Sequence, residues 1–198
     1  MDKVKLDRAR QILEHESKAI LNIPIDNSLI KSVEIILGCK GKVVLSGMGK
    51  AGLIARKIAA TLSSTGTPSM YLHPGEAQHG DLGALRYGDV LIILSNSGKT
   101  REALELVSLS RELIPEGISI IVITSNTDSP LTKVADVTLS IGNATEACFL
   151  GMAPTTSTTC MLAVGDVLSL LVMEEKKFTK SDFAKRHHGG YLGEKSKD

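Results

Sequence analysis

Five short apolar runs recur between residues 42 and 141, each separated from the next by a stretch with helical or turn character. They cover 42–45, 69–72, 89–94, 118–123 and 136–141 and are rich in Val, Ile and Leu. Runs this short and unbroken mark strands buried on both faces rather than helices. Their alternation with helical stretches predicts βαβ units and a parallel sheet covered by helices on both sides, an α/β fold. Ahead of them, residues 3–21 carry Val4, Leu6, Ala9, Ile12, Leu13, Ala19 and Ile20 among charges, the stripe of an amphipathic helix. Pro24 ends it, and Asp26 or Asn27 can cap a second helix through Leu37. A long apolar helix is expected over 159–175. No repeat, linker or low-complexity tract interrupts the chain, so one domain over 1–198 is expected: N-terminal helices (3–38), an α/β core (42–175) and a C-terminal tail (179–195).

In open parallel sheets ligands bind beyond the carboxyl ends of the strands. The third run exits into Ser95-Asn96-Ser97-Gly98-Lys99-Thr100 and then into a helical stretch from Arg101. Hydroxyls and a glycine between a strand end and a helix start make a phosphate cup: free N–H groups, the positive end of the helix dipole and hydroxyl donors. A plain turn with Ser or Thr capping the helix is the alternative. The first run exits into Ser46-Gly47-Met48-Gly49-Lys50-Ala51-Gly52, followed by a helix from Leu53. These glycines have the look of a dinucleotide fingerprint, but no acidic residue follows near Tyr71 to take a ribose, and Lys50 lacks the Ser or Thr of a P-loop. What remains is a close backbone approach to a ligand with an ammonium beside it. His73, Glu76 and His79 lack the i, i+4 pairing of helical zinc sites, so no metal is expected, and His79 is read as a sugar contact or a surface residue.

Charge narrows the partners. Lys and Arg number 23 against 22 Asp and Glu, and aromatics are 3% with no Trp, which argues against a nucleic-acid surface. Cys39, Cys148 and Cys160 are far apart without a CxxC pair, which suggests a reducing, cytoplasmic setting. Cys148 reads as a small filler with no group spaced to stabilise a thiolate. The N-terminus lacks the apolar core of a signal peptide, and the run Cys160–Met173 is about three-quarters of a membrane span and contains Asp166, so no membrane partner is expected.

Six blocks then carry a resemblance: SGMGKAG (46–52), STGTPS (64–69), HPGEAQHGDLG (73–83), SNSGKTRE (95–102), EACFLGMAPTTSTT (146–159) and FAKRHHGGYLG (183–193). In this order, over about residues 5–195, they resemble the sugar isomerase (SIS) family and within it the arabinose 5-phosphate isomerase branch. The resemblance implies a three-layer, flavodoxin-like α/β/α sandwich with a five-stranded parallel sheet, a homotetramer with sites at subunit junctions, and no cofactor. It implies interconversion of ribulose 5-phosphate and arabinose 5-phosphate for Kdo and lipopolysaccharide synthesis. It further implies Lys50, Glu102, Glu146 and His187 as the catalytic set, with Ser46, Gly47, Gly49, His79, Ser95, Asn96, Ser97, Gly98 and Thr100 around the sugar phosphate. Lys99 stands where the family often has Glu, and His188 where it has Pro. The regulatory CBS pair common in the family is expected to be missing, so feedback by a nucleotide-sugar product would act at the sugar site.

Such residue types suit an aldose–ketose shift through an enediol. One carboxylate or imidazole moves the carbon-bound proton, and a second group moves the hydroxyl protons. Glu146 as carbon base with His187 assisting, and the reverse, are both open. Lys50 would stabilise the enediolate oxygen, and Glu102 would orient hydroxyls or Lys50. Two other readings remain: a hexulose 6-phosphate or heptose phosphate isomerase, and a non-catalytic sugar-phosphate regulator. The latter lacks any helix-turn-helix segment or basic face to support it.

Overall fold

Every one of the five apolar runs becomes a strand of one parallel sheet. In the computed structural model, which describes residues 2–189, these are β1 (Val43–Gly47), β2 (Ser69–Tyr71), β3 (Val90–Leu94), β4 (Ser119–Thr124) and β5 (Val137–Ser140). Their order is β2-β1-β3-β4-β5, with Val43 beside Val90 and Val90 beside Ser119. The helices are α1 (Asp2–Leu21), α2 (Asn27–Leu37), α3 (Gly49–Ser64), α4 (Pro74–Ala77), α5 (Arg101–Leu113), α6 (Pro130–Val134), α7 (Thr156–Glu175) and α8 (Lys180–Ala184). Residues 190–195 of the expected tail lie outside the described residues.

The unbroken hydrophobicity of the strands has a direct cause, because successive side chains enter different cores. Val43, Leu45, Val90, Ile92, Leu94, Ile121 and Ile123 join one cluster, with side chains from α2, α3 and α7. Val44, Leu91, Ile93, Ile120 and Val122 join the other, with residues of α4, α5 and α6. Each fully buried Val, Leu or Ile contributes roughly 1.5–3 kcal/mol relative to exposure. The result is a three-layer α/β/α sandwich. Asp26 caps α2, its carboxylate accepting the Ser28 N–H at 2.8 Å.

Helix boundaries differ from the sequence reading in informative places. The helix α3 begins at Gly49 rather than Leu53, which puts Lys50 on the helix itself. The helix α7 begins at Thr156 rather than 159 and is long and apolar enough, by length and composition, to cross a membrane. Its apolarity is explained by burial: Cys160, Met161, Val164, Leu168 and Val172 all lie in the core. Asp166, on its outer side, pairs with Lys57 of α3. The apolar stripe read along α1 is largely exposed, with Val4, Leu6 and Leu13 each about 70% accessible. Of that stripe, Ile12 and Ala19 are partly covered, together with His15 and Glu16.

Candidate active site

The strand order reverses direction between β1 and β3, the crevice where sheets of this order bind phosphorylated ligands. A pocket of about 250 Å³ opens there. Met48, Lys50 and Ala51 line it from the start of α3, Leu94 to Ser97 and Thr100 from the exit of β3, and Pro154, Ser157, Thr158 and Met161 from the start of α7. Three helix N-termini therefore converge on one cavity, a concentration of positive dipole ends suited to an anion.

The cup after β3 is held by its own hydroxyls. Ser95 Oγ and Thr100 Oγ1 are 2.8 Å apart, and Ser95 Oγ accepts the Gly98 N–H at 3.2 Å. Ser97 Oγ accepts the Lys99 N–H at 3.2 Å. Gly98 adopts φ +64°, and a side chain there would also run into Ser129 Oγ, so the turn needs glycine. Thr100 is the N-cap of α5, yet its hydroxyl makes no capping bond. Thr100 thus does not cap the helix, and among the described residues no side chain hydrogen-bonds the first amides of α5. Met48 leaves the N-terminus of α3 equally open.

The third terminus is different. Here the N-cap residue, Thr155, makes no side-chain cap bond. Glu146 takes that place: its Oε2 accepts the Thr155 N–H at 2.8 Å, and Oε1 accepts the Ser157 hydroxyl. Partial burial raises the Glu146 pKa, but the Ser157 hydroxyl and the amides of Thr155, Ser157 and Thr156 outweigh it, so the carboxyl lies below its ordinary value. Glu146 does not itself line the pocket; Ser157 stands between them.

Other residues from the sequence reading fall elsewhere. Ser46 is fully buried and donates to the Leu72 carbonyl at 2.7 Å, behind the cavity. Gly47 and Gly49 form the turn from β1 into α3, and the Gly47 carbonyl accepts the Tyr71 hydroxyl at 2.8 Å. Glu102 lies in the first turn of α5 and His79 just past α4, exposed; neither lines the pocket of its own chain. Among the described residues no group of three His, Cys, Asp or Glu side chains is placed to hold a metal.

His187 is farther still. Its ring stacks on Phe183 at 3.7 Å between centroids, and Nδ1 lies 3.0 Å from the Phe183 carbonyl. A carbonyl only accepts, so Nδ1 is the donor in this contact. The segment around it packs at the far end of α3: Lys176 Nζ donates to Thr67 Oγ1 at 2.8 Å, and the Arg186 guanidinium covers Phe178. Sixteen residues of α3 separate that end from the pocket, about 24 Å at 1.5 Å per residue.

Two features escaped the sequence reading. Met48, Pro154 and Met161 are apolar pocket walls that the sequence reading did not assign to the site. Cys148 does have thiolate-stabilising groups: its Sγ accepts the N–H groups of Met152 and Ala153, both at 3.3 Å, which lowers its pKa. These donors come from a tight turn that spacing alone does not reveal.

A parallel sheet of this order, with a pocket at its switch point on which three helix N-termini converge, defines an α/β domain built to present a site at its strand ends. The SIS domain model matches residues 36–171, and the chain belongs to the SIS domain family. It is 47% identical over 181 residues to the arabinose 5-phosphate isomerase KdsD of Pseudomonas aeruginosa, covering 91% of this chain and 55% of that relative. The chain thus spans little more than half the length of that curated relative. Among solved structures, a candidate phosphosugar isomerase involved in capsule formation from Bacteroides fragilis superposes with TM-score 0.92 at 51% identity, covering 94% of this chain and 99% of that one. An Escherichia coli CFT073 protein in complex with arabinose 5-phosphate superposes at 0.89 with 38% identity and the same coverage.

Proposed function

We propose that this chain is a sugar-phosphate isomerase that interconverts D-ribulose 5-phosphate and D-arabinose 5-phosphate through an enediol. The observation that carries the reading is the pocket itself: two open helix N-termini, Lys50 and Ser157 line one cavity, and Ser157 is hydrogen-bonded to Glu146 behind it. The phosphate belongs in the Ser95–Thr100 cup, over the amides of α5. That seats the sugar carbons toward Lys50 and Ser157. Similarity to the isomerase of P. aeruginosa, and to the E. coli protein bound to arabinose 5-phosphate, supports this substrate.

From ribulose 5-phosphate, a base removes a C1 proton, the C2 carbonyl becomes enediol, and return of a proton to C2 gives the aldose. The O1 hydroxyl loses its proton and O2 gains one. Glu146 reaches the cavity through the Ser157 hydroxyl, a path suited to hydroxyl protons rather than to a carbon-bound one. His187, whose Nδ1 is engaged by the Phe183 carbonyl and whose Nε2 has no partner among the described residues, suits the carbon-bound proton, and its distance from the pocket of its own chain calls for a second copy to deliver it. Lys50 stabilises the developing enediolate. Glu102 and His79 are assigned to substrate hydroxyls on the same grounds, as residues a neighbouring copy would enclose.

The homotetramer follows the same need. Val4, Leu6 and Leu13 on α1, and Phe149, Leu150 and Met152 beside the pocket, leave large apolar surfaces for other copies. The free thiols Cys39, Cys148 and Cys160 support a cytoplasmic setting, and arabinose 5-phosphate points to Kdo synthesis. A nucleotide-sugar product of that route would compete with ribulose 5-phosphate.

The test is incubation with ribulose 5-phosphate in deuterium oxide. Arabinose 5-phosphate should form, with deuterium entering C1 of the remaining ketose. Glu146→Gln should retain part of the exchange while slowing isomerisation; His187→Asn should lose both. Turnover of other ketose phosphates alone would move the substrate, and binding without turnover would defeat the enzyme reading.

A further inference from the structure

We infer that the N-terminal helix is a positioning element for Glu146, with Arg8 and His15 holding the two peptide carbonyls that flank it. The Arg8 guanidinium donates to the Ala147 carbonyl at 2.6 Å, and His15 Nε2 donates to the Thr145 carbonyl at 2.7 Å. No function assigned to the pocket calls on either residue.

Seven residues separate Arg8 from His15, two turns of α1, so both project from the same face. The partly covered Ile12 and Ala19 continue that row at the spacing 8, 12, 15, 19. The two donors start about 10.5 Å apart along the helix, whereas carbonyls two residues apart span at most about 7 Å. The longer reach of arginine closes the difference, and Arg8 also donates to Gln11 Oε1 at 3.4 Å from the same turn.

The segment they hold needs anchoring. Residues 142–155 form neither helix nor strand, and their backbone–backbone bonds, such as Ala144 to Gly142 and Gly151 to Cys148, stay within local turns. Among the described residues, the sequence-distant hydrogen bonds to this backbone are those from Arg8 and His15. With the carbonyls on either side fixed, the Glu146 backbone is held where its side chain reaches the Thr155 N–H and the Ser157 hydroxyl. Loss of the clamp frees the carboxylate to leave the α7 terminus while the phosphate cup, built from another segment, stays intact.

The kinetic consequence rests on the isomerase reading; the structural one does not. The experiment compares full-length wild type with Arg8→Met, His15→Phe, the double variant and His15→Gln, whose amide nitrogen can replace Nε2 as donor. Amide hydrogen exchange at 143–153 should rise in Arg8→Met and His15→Phe and most in the double variant, with β3 and β4 as protected as in wild type. With ribulose 5-phosphate, kcat should fall on the order of tenfold while KM stays within about twofold, and His15→Gln should recover most of the loss. Unchanged exchange at 143–153 in the double variant overturns the inference, as does exchange rising throughout the sheet or a kcat loss that His15→Gln does not recover. If wild type turns over no sugar phosphate, the isomerase reading fails by itself, and exchange at 143–153 still decides whether the clamp exists.

Discussion

Ser157 donates its hydroxyl to the Glu146 carboxylate while lining the pocket, so a carboxylate outside the cavity is coupled to it through one side chain. The relationship makes Glu146 both the cap of α7 and a candidate proton carrier. The two roles depend on pH in the same direction. Its carboxyl sits below the ordinary value of 4.5 in the folded chain, so its stabilising effect is present above that value and is lost as pH falls through the lowered one. Thermal melts of wild type and Glu146→Gln should therefore differ most at neutral pH and converge as the pH drops well below 4.5.

Ser95 ties the loop at 95–100 together by accepting the Gly98 N–H and pairing with Thr100. Ser95→Ala removes a hydroxyl that is present before substrate arrives, so the loss should appear mainly as weaker binding. Steady-state kinetics should show KM for ribulose 5-phosphate raised about tenfold, roughly 1.4 kcal/mol, with a smaller change in kcat.

If one copy supplies Lys50 and another His187, two inactive variants should complement each other. Lys50→Met and His187→Asn, unfolded together and refolded as a mixture, should regain a fraction of wild-type activity that neither shows alone. No recovery in mixed oligomers verified by mass spectrometry would place both residues on one chain.

The turn from β1 into α3 tolerates no side chain at Gly52. A Cβ there would press into the Gly47 carbonyl and come within 2.7 Å of the Tyr71 hydroxyl, which holds that carbonyl. Gly52→Ala should cost about 1–3 kcal/mol in urea unfolding and lower activity by shifting Lys50.

Two ion pairs should behave differently. Asp89 is buried and accepts the Lys42 and Arg86 backbone N–H groups, both at 2.9 Å, together with Lys42 Nζ at 2.7 Å. Asp89→Ala leaves these donors stranded and should destabilise by about 3 kcal/mol. The Lys57–Asp166 pair is 40–45% accessible at both ends, and Lys57→Ala should change stability by less than about 1 kcal/mol. Chemical denaturation midpoints would check both.

The strands were legible in the sequence because burial on both faces leaves an unbroken apolar run, as in Val90–Leu94, whichever residues cover it. The cup at 95–100 was equally legible, since strand end, glycine, hydroxyls and helix start are contiguous and interact locally. The stripe on α1 was legible only in part, since Ile12 and Ala19 are partly covered while Val4, Leu6 and Leu13 are exposed. Apolar periodicity reports that a face will be covered, not by what, and the face turned to this chain carries Arg8 and His15.

By itself, the order of residues determined the α/β class, the five strands and the two loops that open on the pocket, because each depends on contacts within a few residues. Only the tertiary structure decided that Glu146 caps α7, that Ser157 carries it to the cavity, and that His187 sits a helix length away. Those facts are distances between segments remote along the chain. Local hydrogen bonding and hydrophobic spacing do not encode them, whereas packing of helices on a shared sheet does.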